Sequence, residues 1–175
     1  DGASTTFSGQ LTGDAGSKLI KIGGGTLTLD NLNGRAANSL SALEVNQGVL
    51  ATWINDQSWA TPLDIAGALP PSTSVTLRGG SWSVRSIGDS TGNQQRIPVG
   101  NNVVVTGGDS ILNTIRATGS GSNKLLTFGT LSLGLQRFLT NNDNTFIPRF
   151  DGLTTLTTFA RIQTDGQLVL AGGIT

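Results

Sequence analysis

The 175-residue chain contains no cysteine, histidine, methionine or tyrosine. Without cysteine there is no thiol nucleophile and no disulfide, and without histidine the usual neutral-pH general base and a principal metal ligand are missing. Most ordinary enzyme mechanisms thereby lose their key residue, and the expectation is a non-enzymatic protein with no catalytic residue, cofactor or metal. The lack of cysteine fits a reducing cytosol or a bacterial exterior that stabilises its proteins without disulfides, and argues against a small animal-type secreted module.

Charge is also scarce. Charged residues make up 13% of the chain, and 11 basic residues balance 11 acidic ones. No field attracts nucleic acid or anionic lipid, so neither partner is expected. No apolar run approaches the roughly 20 residues that cross a bilayer, and no membrane insertion by this segment is expected. No basic-then-apolar leader opens the chain, so an export signal, for a secreted protein, lies outside this segment. Length alone favours one domain, residues 1–175.

What the chain has in quantity is glycine, 25 residues of it. Five times a glycine opens a short alternating segment: Gly25-Thr26-Leu27-Thr28-Leu29, Gly48-Val49-Leu50-Ala51-Thr52, Gly80-Ser81-Trp82-Ser83-Val84, Gly129-Thr130-Leu131-Ser132-Leu133 and Gly166-Gln167-Leu168-Val169-Leu170. A residue that tolerates a tight bend, followed by alternation of large apolar and small polar side chains, marks a strand buried on one face. Recurrence at irregular intervals predicts stacked coils of an all-β solenoid, with inward Leu, Val and Ile forming ladders along its axis. Helix signals are nearly absent; Asn38 to Leu43 is long enough only for one turn and is read as a corner or loop.

Two stretches break the pattern and are read as loop excursions, at about 53–74 and 86–96. The first holds Trp53, Trp59, Pro62, Pro70 and Pro71, and proline cannot donate to a central ladder. An antiparallel β-sandwich is the competing reading for the second half, where alternation is less regular.

Specific residues then carry a resemblance. Ser8-Gly9-Gln10-Leu11, Lys18-Leu19-Ile20-Lys21-Ile22-Gly23-Gly24-Gly25-Thr26-Leu27-Thr28-Leu29 and Val45-Asn46-Gln47-Gly48-Val49-Leu50 together resemble the passenger-associated repeat of bacterial autotransporters. Ile22 stands where that pattern often has threonine, and Asn31-Leu32-Asn33-Gly34-Arg35 replaces its usual turn. The match covers Phe7 to Leu50, with weaker echoes at Val75 to Val84 and Leu125 to Leu133. The resemblance implies a right-handed parallel β-helix in a secreted surface protein. It implies no catalytic residue, because the motif is structural.

Several side chains invite a functional reading. Trp53 and Trp59 could form a sugar-stacking platform or plug the side of the coil beneath the proline-rich loop, and the burial preference of tryptophan favours the plug. Trp82 alternates with Val84 and is read as core or subunit contact before ligand contact. Asn141-Asn142-Asp143-Asn144 could offer oxygens to calcium, but the regular glycine-aspartate repeats of calcium-binding solenoids are missing, and a solvated turn is preferred. Asp56 with Asp64, or Asp143 with Asp151, are conceivable carboxylate pairs for glycoside cleavage, though their spacing fixes neither in a cleft. Gly23-Gly24-Gly25 is not a phosphate loop, since it lacks the following lysine-hydroxyl pair and leads into a strand. Arg78, Arg85 and Arg96 are scattered, as solvated arginines ordinarily are.

Neither end shows the helix or polar repeat that usually closes a solenoid. The segment Leu168 to Thr175, followed by Asp1 to Leu11, reads like the run that precedes the lysine-containing core of the resembled repeat. The expectation is therefore a structural protein, one unit of an extracellular or cell-surface bacterial fibre, whose main partner is itself, head to tail. An adhesin segment that holds a surface glycan or host protein through residues 53–74 is the alternative, and a polysaccharide-degrading β-helix the remoter one.

Overall fold

A computed structural model describes residues 2–30, 38–55, 69–88, 96–119, 121–143, 145–157 and 159–175. Every strand pairing among them is parallel, and the strands form three sheets. The largest face has seven strands: Thr5–Phe7, Thr26–Leu29, Val49–Asn55, Ser81–Gly88, Asp109–Gly119, Arg137–Asn142 and Arg161–Asp165. A six-stranded face stacks Lys18–Lys21, Ala42–Val45, Ser74–Arg78, Val103–Gly107, Leu131–Leu133 and Thr154–Leu156. A four-stranded face stacks Arg96–Pro98, Lys124–Phe128, Phe146–Phe150 and Val169–Leu170. The described strands alternate between the seven- and six-stranded faces as far as Ser81–Gly88, and from Arg96 onward a strand of the four-stranded face falls between them in each turn; this is a parallel β-solenoid. At about 4.8 Å per strand the seven-stranded face spans about 29 Å along the axis. The parallel pairing of the second half rules out the antiparallel sandwich, and the described residues of the 38–43 stretch contribute a bridge at Ser39 and the start of Ala42–Val45 rather than a helical turn.

Registration of like residues in successive rungs makes the core. On the six-stranded face Leu43, Val75, Val103 and Leu131 lie in one inward row, and Val45, Leu77, Val105 and Leu133 in the next. On the seven-stranded face Leu27, Leu50, Trp82 and Leu112 share a row. Each inward residue rests on its counterpart one rung away, so a single apolar column runs through the coil. Aromatic side chains thicken it midway: Trp82 meets Phe128 edge to face at 5.6 Å, Phe128 stacks on Phe150 at 5.2 Å, and Phe138 meets Phe150 at 6.5 Å.

The five glycine-led segments occupy different corners of the coil. Gly25, Gly48 and Gly80 stand where the six-stranded face turns into the seven-stranded one, Gly129 turns the four-stranded face into the six-stranded one, and Gly166 leaves the seven-stranded face. Stacking explains the residue type. A Cβ on Gly48 would lie 2.4 Å from the Gly25 carbonyl oxygen and 2.5 Å from that of Gly23, at a φ of +65°. At this corner the adjacent rung approaches too closely for a side chain.

Strands reach into both stretches read as excursions. Val49–Asn55 continues through Trp53, because Trp53 and Ile54 keep pairing with Arg85 and Ser86, and Ser74 already belongs to Ser74–Arg78. Likewise Ser86 is within Ser81–Gly88, and Arg96 opens Arg96–Pro98. Residues 69–73 turn into Ser74–Arg78 with Leu69 and Thr73 buried, while 56–68 with Trp59 and Pro62, and 89–95, lie outside the described residues.

Candidate functional site

Two kinds of surface stand out: the two ends of the apolar column, and one corner near its C-terminal end. At the N-terminal end Thr5–Phe7 and Lys18–Lys21 are edge strands, and Leu11, Leu19 and Leu27 cover the column only in part. At the other end Arg161–Asp165 and Val169–Leu170 are edges, with Leu156, Ile162, Leu168 and Leu170 half-covered above the core. Ile174 bridges Thr154 and begins a further rung of the six-stranded face, while its side chain stays exposed. Both ends thus present half-covered apolar rows beside strands that have no outer partner strand among the described residues, which is the surface that another rung would cover.

The face order is in phase across these ends. The last described rung runs from the four-stranded face at Val169–Leu170 to the six-stranded face at Ile174, and the strand due next belongs to the seven-stranded face. Thr5–Phe7 is a seven-stranded-face strand with no partner on its outer side among the described residues.

Lys21 finishes one row in an unusual way. Its place in the register is that of Val45, Leu77 and Val105, so the aliphatic stem continues the column. The ammonium then donates to the carbonyls of Ile22 at 3.0 Å, Gly23 at 2.6 Å and Gln47 at 3.1 Å. Burial lowers its pKa from the ordinary lysine value, while the three oxygens hold the charged form in place. Lys21 therefore has a structural task, tying a glycine corner to the rung beside it. On the outside of the six-stranded face Glu44 lies between Lys18, at 3.1 Å, and Arg78, at 3.5 Å. The hydrogen bond from Lys18 leads in holding its carboxyl below the usual range, with burial opposing.

The corner near the C-terminal end departs from the others. Earlier rungs turn there on Gly23 to Gly25, Gly79-Gly80 and Gly107-Gly108, but the last two place Leu135-Gln136 and Phe159-Ala160 at this position. Leu135 is 65% exposed and Phe159 79% exposed, the latter at a φ of +64°. Beside them Asp109, Arg137 and Arg161 are the first residues of three successive strands and lie in register as a row. Arg137 bonds to Asp109 and donates to Gln163 at 3.4 Å. Together with Gly108 and Gln136 these residues line a hollow of about 570 Å³.

Of the residues singled out from sequence, Trp82 lies in the core, 1% exposed, with its indole N–H donating to Thr52 Oγ1 at 3.0 Å. Packing is its role, and no ligand can reach the ring. Trp53 is half-buried on the outer side of the seven-stranded face, in a row with Arg85 and Ile115, while Trp59 lies outside the described residues. Trp53 and Trp82 therefore face opposite sides of the seven-stranded sheet. Asn141 donates to Asn113 Oδ1 at 3.1 Å, one step of an outer polar row, and among the described residues no three acidic side chains converge on a metal position. Asp151 is engaged by Arg149 at 2.5 Å; Asp56 and Asp64 lie outside the described residues. Arg78 is the partner of Glu44, and Arg96 is exposed on an edge strand.

Sequence reading missed the row of Asp109, Arg137 and Arg161. Its signal was present: each is the charged residue that opens a strand just after a corner, visible once successive rungs are aligned. No protein-family model matches the chain, and comparison with curated proteins and with solved structures finds no match either.

Proposed function

We propose that the chain is a structural unit of an extended β-solenoid fibre on a bacterial surface, in which the terminal rung of one unit is covered by the first rung of the next. The observation that carries this reading is the pair of half-covered ends, with Leu11, Leu19 and Leu27 at one and Leu156, Ile162, Leu168 and Leu170 at the other. Parallel edge strands and face order in phase give such a junction both backbone pairing and continued apolar rows. The resemblance of Phe7 to Leu50 to the autotransporter passenger repeat supports a secreted, surface-exposed setting. Thr26, Thr28, Thr76 and Thr155 point outward from their faces in rows of mixed apolar and polar residues, with Thr155 exposed to solvent.

Negative-stain electron microscopy and sedimentation of the purified chain across a concentration series test the reading. Uniform filaments of one rod's width, lengthening with concentration, are expected. A monodisperse 18.0 kDa species at every concentration would overturn end-to-end association of separate copies.

A further inference from the structure

The corner formed by Asp109, Leu135, Arg137, Phe159 and Arg161 differs from the rest of the rod in three independent respects. Its neighbours in the stack are tight glycine turns, whereas here two large apolar side chains stand out into solvent. Phe159 holds its ring outward from a left-handed backbone, a conformation that costs a non-glycine residue on the order of 1 kcal/mol and persists where surroundings impose it. And the charge row beside it is unbalanced, with one carboxylate against two guanidinium groups.

The imbalance is local. Asp109 is engaged by Arg137, whose guanidinium is also steadied by Gln163. Arg161, next in the row and exposed, has no carboxylate within ion-pair distance among the described residues. A planar fork of donors that is free to meet a carboxylate therefore lies in the same hollow as an exposed aromatic ring. Aromatic faces stack on the apolar C–H face of a pyranose, and guanidinium groups bind carboxylates in a bidentate manner. A hollow of about 570 Å³ falls within the size of small-ligand sites.

We propose that this corner binds a carboxylate-bearing oligosaccharide, of the oligouronide class, with one sugar ring on Phe159, its carboxylate on Arg161, and Arg137 fixed by Asp109 as the second cation. Exposed leucine and phenylalanine alone would suit many partners; the arginine row selects an acidic one. The site is on the flank of the rod and does not require units to stack.

Calorimetric titration of the whole chain with trigalacturonate, and with neutral cellotriose as control, tests it. Saturable binding of trigalacturonate is expected, at least about tenfold tighter than cellotriose and weakened by added salt. Phe159→Gly relieves the left-handed backbone while removing the ring, and Arg161→Gln is a surface change, so both variants keep the fold; each should weaken binding about tenfold. Absence of saturable binding, equal affinity for cellotriose, or unchanged affinity in both variants would overturn the proposal. Filament formation measured on the same samples reports separately on end-to-end assembly.

Discussion

The ammonium of Lys21 donates to the carbonyl of Gln47, 3.1 Å away in the adjacent rung, while its stem occupies the row of Val45 and Leu77. One side chain thus completes the apolar column and ties together two glycine corners. Lys21→Met keeps most of the stem but leaves three backbone oxygens without their charged donor. Equilibrium urea unfolding should show a loss of about 2 kcal/mol. Lys21→Ala should cost more, since the column loses the stem as well; equal losses in the two variants would assign the whole effect to the ammonium.

Glycine corners are predicted to differ sharply in tolerance. Gly48→Ala places a Cβ against the Gly23 and Gly25 carbonyl oxygens at positive φ, and backbone there cannot yield cheaply. A loss of about 3 kcal/mol or more, or failure to fold, is expected. Gly24→Ala, one rung away, meets nothing within 4 Å and has no positive φ. Its unfolding free energy should match that of the wild type within about 0.5 kcal/mol.

This contrast also shows how far sequence could take the fold. Alternation in Thr26 to Leu29 or Ser81 to Val84 announces strands buried on one face, and the resembled motif around Lys21 points to parallel coils. Sequence alone could not assign Gly25, Gly129 and Gly166 to three different corners, because a tight turn has the same residue requirement at each. Nor could it distinguish Gly24 from Gly48, since the difference lies in what the neighbouring rung places opposite them. Register was the missing quantity. It places the charged Lys21 in a core row, and brings Asp109, Arg137 and Arg161 together from three separate strands.

Trp82 and Thr52 lie on adjacent rungs and form a buried hydrogen bond from the indole N–H to Oγ1. Trp82→Phe removes the donor, and Thr52→Val removes the acceptor while keeping its shape. A double-mutant cycle should give a coupling of about 1 kcal/mol, with Thr52→Val alone costing about 1 to 3 kcal/mol because the indole N–H is left unpaired. Near-ultraviolet circular dichroism should retain its tryptophan signal in Thr52→Val if the ring keeps its place between rungs.

Glu44 gives the six-stranded face a pH-dependent element. Its carboxyl is held below the ordinary value of 4.5, first by the hydrogen bond from Lys18, with the Lys18 charge and Arg78 adding to it. A depressed carboxylate pKa contributes stability above the unfolded-state value, and the contribution disappears as pH falls through the folded-state value. Wild type should therefore exceed Glu44→Gln by about 1 kcal/mol or less at neutral pH, since Lys18 and Arg78 are well solvated. The gap should close below about pH 4. Urea midpoints measured from pH 7 to pH 3 check the sign; a gap that widened on acidification would contradict it.

End-to-end association can be separated from folding at Ile162. This residue lies in the last described strand of the seven-stranded face, in register with Phe138, and is only partly covered. In an isolated unit an aspartate there reaches water, so Ile162→Asp should lower stability by about 1 kcal/mol. Covered by another rung, the same carboxylate would be buried without a partner at a cost of several kcal/mol. Filaments should accordingly be lost while far-ultraviolet circular dichroism and the urea midpoint change little. Thr155→Lys, on the exposed side of the six-stranded face, should leave filaments intact. Filaments of unchanged length in Ile162→Asp would mean that the open apolar row is not the surface through which units join.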